Sequence, residues 1–249
     1  MGDPWMPDRT IRFEVFRFRP GEDAEPVWES FEVPCREEWV VLDALNHIKD
    51  HLDGSLSFRW SCHMAVCGSC GMMVNGTPVL SCKAFLRDYE GPVRIGPLAN
   101  LDVTRDLVVD QSRMMHALPV VKSWLIPAAP PPQDGEYLQT PAQLERFRHL
   151  SMCINCMLCY AACPQVALNP GYLGPGALAQ RYNLDSRDAG RLQRAETVAS
   201  DDGVWECTFI GECSEVCPKH VDPAGAIQQL KLSSSQDWFA KLLGKAGTP

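Results

Sequence analysis

Apolar and polar residues alternate through Ile11, Phe13 and Val15, which predicts a strand with one buried face. Val41, Leu45, Ile48 and Leu52 recur at helical spacing, so residues 40 to 52 are expected to form an amphipathic helix. Gly71 to Ser81 reads as strand, turn, strand, with Asn75-Gly76 as the hairpin turn. Strands, a helix and a hairpin in this first stretch predict a small α+β domain.

The second half changes character. Leu107, Met114 and Leu118 suggest a helix, and Pro127 to Glu136, with four prolines, a surface connection. Thr140 is placed to cap a helix, with Pro141 at its first position and Gln143 completing a capping box. Asp222-Pro223 repeats that start before Ala226, Ile227 and Leu230. The expected division is residues 1–103, α+β, and residues 104–249, mostly helical with cysteine loops between helices.

A length of 249 residues suits two modest domains, and 45% hydrophobic content allows packed cores. The net charge of −8 argues against a nucleic-acid partner, which needs a basic face. The apolar run from Leu118 to Pro132 is broken by Pro119, Lys122, Pro127 and Pro130, so no membrane span is expected. No basic patch followed by an apolar stretch opens the chain, so no signal peptide is predicted. Twelve cysteines without an export signal point to metal or cluster ligation rather than disulfides.

Cys62, Cys67 and Cys70 are spaced C-x4-C-x2-C, and Cys82 follows at the end of the hairpin. This is the plant-type spacing for a 2Fe-2S cluster, with three thiolates on one loop and the fourth closing the cage. Gly68 and Gly71 would let the backbone approach closely and turn N–H groups toward sulfur. A four-cysteine zinc site is the other reading, although zinc knuckles usually pair two C-x2-C units.

Cys153, Cys156, Cys159 and Cys163-Pro164 read C-x2-C-x2-C-x3-C-P, the bacterial ferredoxin run whose fourth cysteine serves the other cluster. Cys207, Cys213 and Cys217-Pro218 form a second copy, with Ile210 where a cysteine is expected. Exchanging the fourth ligands gives Cys153, Cys156, Cys159 and Cys217 for a 4Fe-4S cluster. Cys163, Cys207 and Cys213 then supply only three thiolates, which favours a 3Fe-4S cluster, since isoleucine cannot ligate iron and is expected to exclude water. A 4Fe-4S cluster with a labile corner ligand is the alternative. Cys35 is left over and reads as a small core residue.

Iron–sulfur clusters move single electrons, and no GxGxxG, Walker loop, HExxH or GxSxG suggests bond chemistry in this chain. No catalytic residue is expected. His47 and His51 share a helix face but lack a third ligand nearby. A partner must handle any organic substrate; a free multi-cluster ferredoxin and a zinc-stabilised interaction module remain as other classes.

Ser61–Gly76 (SCHMAVCGSCGMMVNG), Cys153–Pro164 (CINCMLCYAACP), Leu173–Asp188 (LGPGALAQRYNLDSRD) and Cys207–Gln229 (CTFIGECSEVCPKHVDPAGAIQQ) resemble the iron–sulfur subunit of succinate dehydrogenase and fumarate reductase. The resemblance covers nearly the whole chain. It implies a plant-type 2Fe-2S ferredoxin-like (β-grasp) domain followed by an α-helical bacterial-ferredoxin-like domain. It also implies a complex in which a partner flavoprotein carrying FAD interconverts succinate and fumarate. Electrons then pass through the 2Fe-2S, 4Fe-4S and 3Fe-4S clusters to a quinone beside membrane anchor subunits. The chain would sit peripherally on the cytoplasmic side of a bacterial plasma membrane. The favoured direction is succinate oxidation, with fumarate reduction as the alternative. Family quinone contacts match Pro164, Thr208, Phe209, Gln228 and Lys231, although Gln228 and Lys231 also fit an exposed helix face. Leu168 stands where ubiquinone-type members carry tryptophan, and Thr208 where they carry histidine. Both features resemble the menaquinone-using fumarate reductase branch.

Overall fold

A computed structural model describes residues 9–133, 135–179 and 185–243. The opening residues 1–8, on which the signal-peptide expectation partly rests, and residues 180–184 of the third family-like stretch lie outside the described residues. The chain forms two compact units. The first runs to Gln111 and takes in Ile154–Ala162; the second holds Ser112–Cys153 and Cys163 onward.

In the first unit, β1 (Arg9–Arg17) and β2 (Val27–Cys35) pair antiparallel, with Phe13 opposite Phe31. β3 (Gly71–Val74) and β4 (Thr77–Leu80) form the hairpin around Asn75-Gly76, whose φ values of 49° and 81° are those a tight two-residue turn demands. β5 (Val93–Gly96) runs parallel to β1 and antiparallel to β3, giving the mixed sheet order β2-β1-β5-β3-β4. Pro34 and Pro78 both fall on edge strands, where a missing N–H is tolerated.

The helix α1 (Val41–His47) continues as a wider π-type turn through Ile48–Leu52. Its Val41, Ala44, Leu45 and Ile48 are buried against Phe13, Val15, Val33, Met72 and Ile95. Each of these side chains larger than alanine contributes about 1.5–3 kcal/mol when withdrawn from water. A short hairpin, β6 (Val103–Arg105) with β7 (Val108–Val109), follows. Leu107 sits in it, buried in this first core, and not in the helix the spacing suggested. The reason is electrostatic: Asp106, fully buried with φ 45°, accepts from the Arg17 Nε (3.2 Å), the Phe18 amide (2.9 Å) and the Ser57 amide (2.9 Å). A turn that satisfies a buried carboxylate this completely outweighs weak helical periodicity.

The second unit is helical. α2 (Ser112–Val120) carries Met114 and Leu118. α3 (Pro141–Glu145) has the expected capping box, with the Thr140 amide donating to Gln143 Oε1 (2.8 Å) and the Gln143 amide to Thr140 Oγ1 (3.3 Å). The proline-rich segment before it is exposed where described. Two short helices follow: α4 (Leu158–Ala161), which belongs to the first unit, and α5 (Pro164–Leu168). α6 (Pro175–Leu178) is wholly buried, and α7 (Arg191–Val198) buries Arg194 against Asp188 (2.6 Å). α8 (Glu212–Glu215) precedes the 20-residue α9 (Pro223–Leu242), capped by Asp222 through the Gly225 amide (2.9 Å). No helix among the described residues is long and apolar enough to cross a membrane.

Candidate functional site

In the first unit, the loop from Cys62 to Cys70 connects to β3, and Cys82 follows β4, so the hairpin returns the fourth cysteine to the loop. The amides of Met64 (3.4 Å), Val66 (3.4 Å) and Cys67 (3.3 Å) donate to Cys62 Sγ, and the Ala65 amide (3.3 Å) to Cys82 Sγ. Left-handed His63 (φ 54°) and Ala65 (φ 55°) aim these amides inward. Convergence of N–H donors on sulfur is what an iron–sulfur cluster requires of its loop, so these residues fit a 2Fe-2S group. Gly68 and Gly71 serve close approach, to Ile154–Cys156 in one case and to Cys156 and Leu158 in the other. Asp43 Oδ2 caps α1 at the Val40 amide (2.9 Å), while Oδ1 meets His63 Nε2 (3.0 Å), tying the loop to the helix.

Burial, with Cys70 and Cys62 nearby, pushes the Cys82 thiol up to about 11. Cys67 is exposed, and hydrogen bonds from Ser69 hold it down to about 6. A buried thiolate among other sulfurs is unfavourable unless a cation compensates it, which ligation by iron would do.

The two later cysteine runs are conformational copies. A short 3₁₀ turn, Leu150–Met152 or Val204–Glu206, precedes Cys153 or Cys207. Left-handed residues then flank the second ligand position: Asn155 (φ 54°) and Met157 (φ 63°) around Cys156, Phe209 (φ 60°) and Gly211 (φ 93°) around Ile210. One helical turn follows in each copy, holding Cys159 in α4 and Cys213 in α8. Ile210 therefore occupies the backbone station that Cys156 holds in the other copy. Ile210 is 57% exposed in the chain alone.

In the second unit, Cys163 lies near Cys207 and Cys213. Burial raises the Cys163 thiol and, with the neighbouring sulfurs, pushes Cys213 up to about 11. Cys153 and Cys217 each pack against the apolar cluster of Leu150, Ala179, Val221 and Ala226. Cys217 thus shares an apolar cluster with a residue of the other run, and Cys163 lies near two residues of the other run. Cys156 and Cys159 belong to the first unit. Among the described residues no three His, Cys, Asp or Glu side chains converge closely enough to share one metal ion, so these groupings are looser than a single-ion site.

A cleft of about 350 Å³, including its open mouth, adjoins the Cys163 group; Pro164, Thr208, Phe209, Ile210, Tyr172 and Ile227 are among its walls. Gln165 Nε2 donates to Thr208 Oγ1 (3.2 Å). Phe209 is 58% exposed and left-handed, a conformation costing of order 1–3 kcal/mol in a non-glycine residue. Gln228 and Lys231 are not among the lining residues, and both are partly buried rather than on an open helix face. Lys231 Nζ donates to the Cys207 carbonyl (2.6 Å) and lies 5.7 Å from the Trp205 ring. The Gln228 amide nitrogen is buried without a hydrogen-bond partner. Trp205, Tyr172 and Gln165 were not singled out from sequence; adjacency to Cys207 and Cys163 was the available signal. Cys35 is buried with Arg9 Nε at 3.4 Å from its sulfur, a core position.

This fold and these cysteine groupings define an iron–sulfur protein with two ferredoxin-type domains. Residues 12–116 match the 2Fe-2S iron–sulfur cluster binding domain family, and residues 146–218 the 4Fe-4S dicluster domain family. The chain is 57% identical over 242 residues to the fumarate reductase iron–sulfur subunit of Mycobacterium tuberculosis, covering 96% of this chain and 98% of the relative. It is 53% identical over 250 residues to the fumarate reductase iron–sulfur subunit of Haemophilus influenzae, covering 95% and 98%. In fold it resembles a chain of the Mycobacterium smegmatis Sdh1 complex in the apo form, with a TM-score of 0.79, 24% identity and coverage of 92% and 97%. The chain belongs to the family of electron-transferring iron–sulfur subunits of fumarate reductases and succinate dehydrogenases.

Proposed function

We propose that this chain carries electrons between a FAD-containing flavoprotein and a quinone held beside membrane anchor subunits. Cys62, Cys67, Cys70 and Cys82 would hold a 2Fe-2S cluster. Cys153, Cys156, Cys159 and Cys217 would hold a 4Fe-4S cluster, and Cys163, Cys207 and Cys213 a 3Fe-4S cluster. When bound, these clusters supply one-electron redox chemistry.

The observation that carries the reading is the cleft opening on the Cys163, Cys207 and Cys213 group, walled by Pro164, Thr208 and Phe209. Its aromatic and aliphatic walls suit a quinone ring, and Thr208 offers a hydroxyl. Gln228, outside the cleft walls, has a buried donor without a partner, a cost of about 1–3 kcal/mol. Lys231 places positive charge on the carbonyl of Cys207, where it favours added negative charge.

A subunit role accounts better than a free ferredoxin for the apolar side chains exposed beside the cysteines. Met64 is 69% exposed beside the first set, and Phe209 beside the third.

The names of the two relatives, together with Leu168 and Thr208, favour menaquinol-driven fumarate reduction. Succinate oxidation, put first by the sequence reading, uses the same relay in reverse; no residue proposed here touches the dicarboxylate.

The test is the purified complex, assayed in both directions with menaquinone and ubiquinone analogues. Faster turnover with the menaquinone analogue is expected. A preparation with no iron and sulfide, or one that reduces neither quinone and oxidises neither quinol, would overturn the proposal.

A further inference from the structure

Ile154–Ala162 belongs to the first unit although its neighbours on both sides in sequence belong to the second. Three residues account for this. Gly68 lies between Cys67 and Cys70 with φ +75°, and a Cβ there would stand 2.7 Å from the Ile154 carbonyl oxygen, 3.0 Å from Cys156 Cβ and 3.2 Å from Cys156 Cα. A Cβ on Gly71 would stand 3.1 Å from the Cys156 carbonyl oxygen and 3.2 Å from Leu158 Cδ2. The first loop and the second run therefore meet backbone to backbone, at a separation a side chain at Gly68 would not permit and one at Gly71 would crowd.

The other end of the run is held differently. Asn100, left-handed at φ 62°, donates from Nδ2 to the carbonyls of Tyr160 (3.1 Å) and Ala161 (3.0 Å). These lie in the last turn of α4, where carbonyls lack helical partners. Leu158 and Tyr160 between the two ends are buried.

We propose that Gly68, Gly71 and Asn100 form a clamp that seats Ile154–Ala162 against the first cysteine loop and so sets the separation between the first ligand set and Cys156 and Cys159. The three act as positioning residues. The consequence for electron transfer rests on the proposed cluster ligation, whereas the clamp itself is a property of the chain. Transfer between redox groups depends steeply on their separation, so displacing this run would slow the relay without altering the thiols that hold iron.

The test compares Gly68→Ala and Asn100→Gly complexes with the wild type. Gly68→Ala inserts a methyl into the contact. Asn100→Gly keeps the left-handed turn, which glycine adopts freely, and removes the two carbonyl bonds. Two readouts are taken: hydrogen exchange of the 154–162 amides, and the magnetic interaction between the reduced first and second clusters by EPR.

Both variants should exchange these amides at least about tenfold faster, corresponding to about 1.4 kcal/mol of lost protection. The cluster–cluster interaction should change while iron content and the spectrum of each separate cluster are retained. If Gly68→Ala fails to assemble, Asn100→Gly decides. Wild-type exchange in Asn100→Gly would overturn the clamp. Faster exchange with an unchanged magnetic interaction would overturn its role in setting the separation. Faster exchange in a wild-type-like fold that never held clusters would overturn the ligation reading and leave the clamp standing.

Discussion

Lys231 donates from Nζ to the backbone carbonyl of Cys207 at 2.6 Å, joining the long C-terminal helix to a cysteine of the incomplete ligand run. The ammonium is thus fixed beside that run and not free in solvent. On the proposed function, Lys231→Leu should slow quinone-linked turnover by roughly ten- to a hundredfold, equivalent to about 1.4–2.7 kcal/mol of transition-state stabilisation. Succinate oxidation with an artificial flavin-side acceptor should stay near normal. Removing a positive charge disfavours added electrons, so the potential of the cluster at Cys207 should fall. Equal losses in both assays, with an unchanged potential, would indicate general misassembly instead.

Ile210 shares its backbone setting with Cys156, flanked in each copy by left-handed residues. Ile210→Cys would place a thiol at that station without rebuilding the loop. We expect the oxidised three-iron EPR signal of the native protein to give way to a four-iron signal in the variant. Two four-iron clusters in the native protein would contradict the ligand assignment.

Cys163 lies near Cys207 and Cys213, and Cys217 packs on the same apolar cluster as Cys153. Cys163→Ser should therefore damage the three-iron cluster first, and Cys217→Ser the four-iron cluster first. EPR of each cluster in the two variants checks the crossing; damage confined to the cluster of each residue's own run would refute it.

Arg194 and Asp188 form an ion pair at 2.6 Å with both side chains 1% exposed. Arg194 also donates to the carbonyls of Lys122 (3.0 Å) and Trp124 (2.7 Å), so one side chain ties both Asp188 and the 122–124 stretch to α7. Arg194→Met leaves a buried carboxylate without its partner and should cost about 3–5 kcal/mol. Denaturant unfolding of the purified subunit complex should show the second unit's transition moving to lower denaturant. Asp188→Asn, which can keep hydrogen bonds, should cost less.

Much of this molecule is determined by sequence alone. The cysteine spacings, and an isoleucine at 210 where the other run has Cys156, are covalent facts of a short loop, and no distant contact changes them. Asn75-Gly76, the Thr140 capping box and the Asp222 cap were legible because each is satisfied within four residues of itself. Alternation in β1 and periodicity in α1 were legible because each presents one face to one core.

Tertiary structure decided what depends on groups distant in sequence. Leu107 left its expected helix because Asp106 needed donors from Arg17, Phe18 and Ser57. Gly68 proved necessary for an approach to Ile154 and Cys156, about ninety residues away, which no local pattern encodes. Lys231 exchanged solvent for the Cys207 carbonyl because helix α9 packs across that loop. Local hydrogen bonds and spacing can be read along a chain. Buried charges, close backbone approach and the partner of a long flexible side chain are settled only when remote segments are brought together and deprived of water.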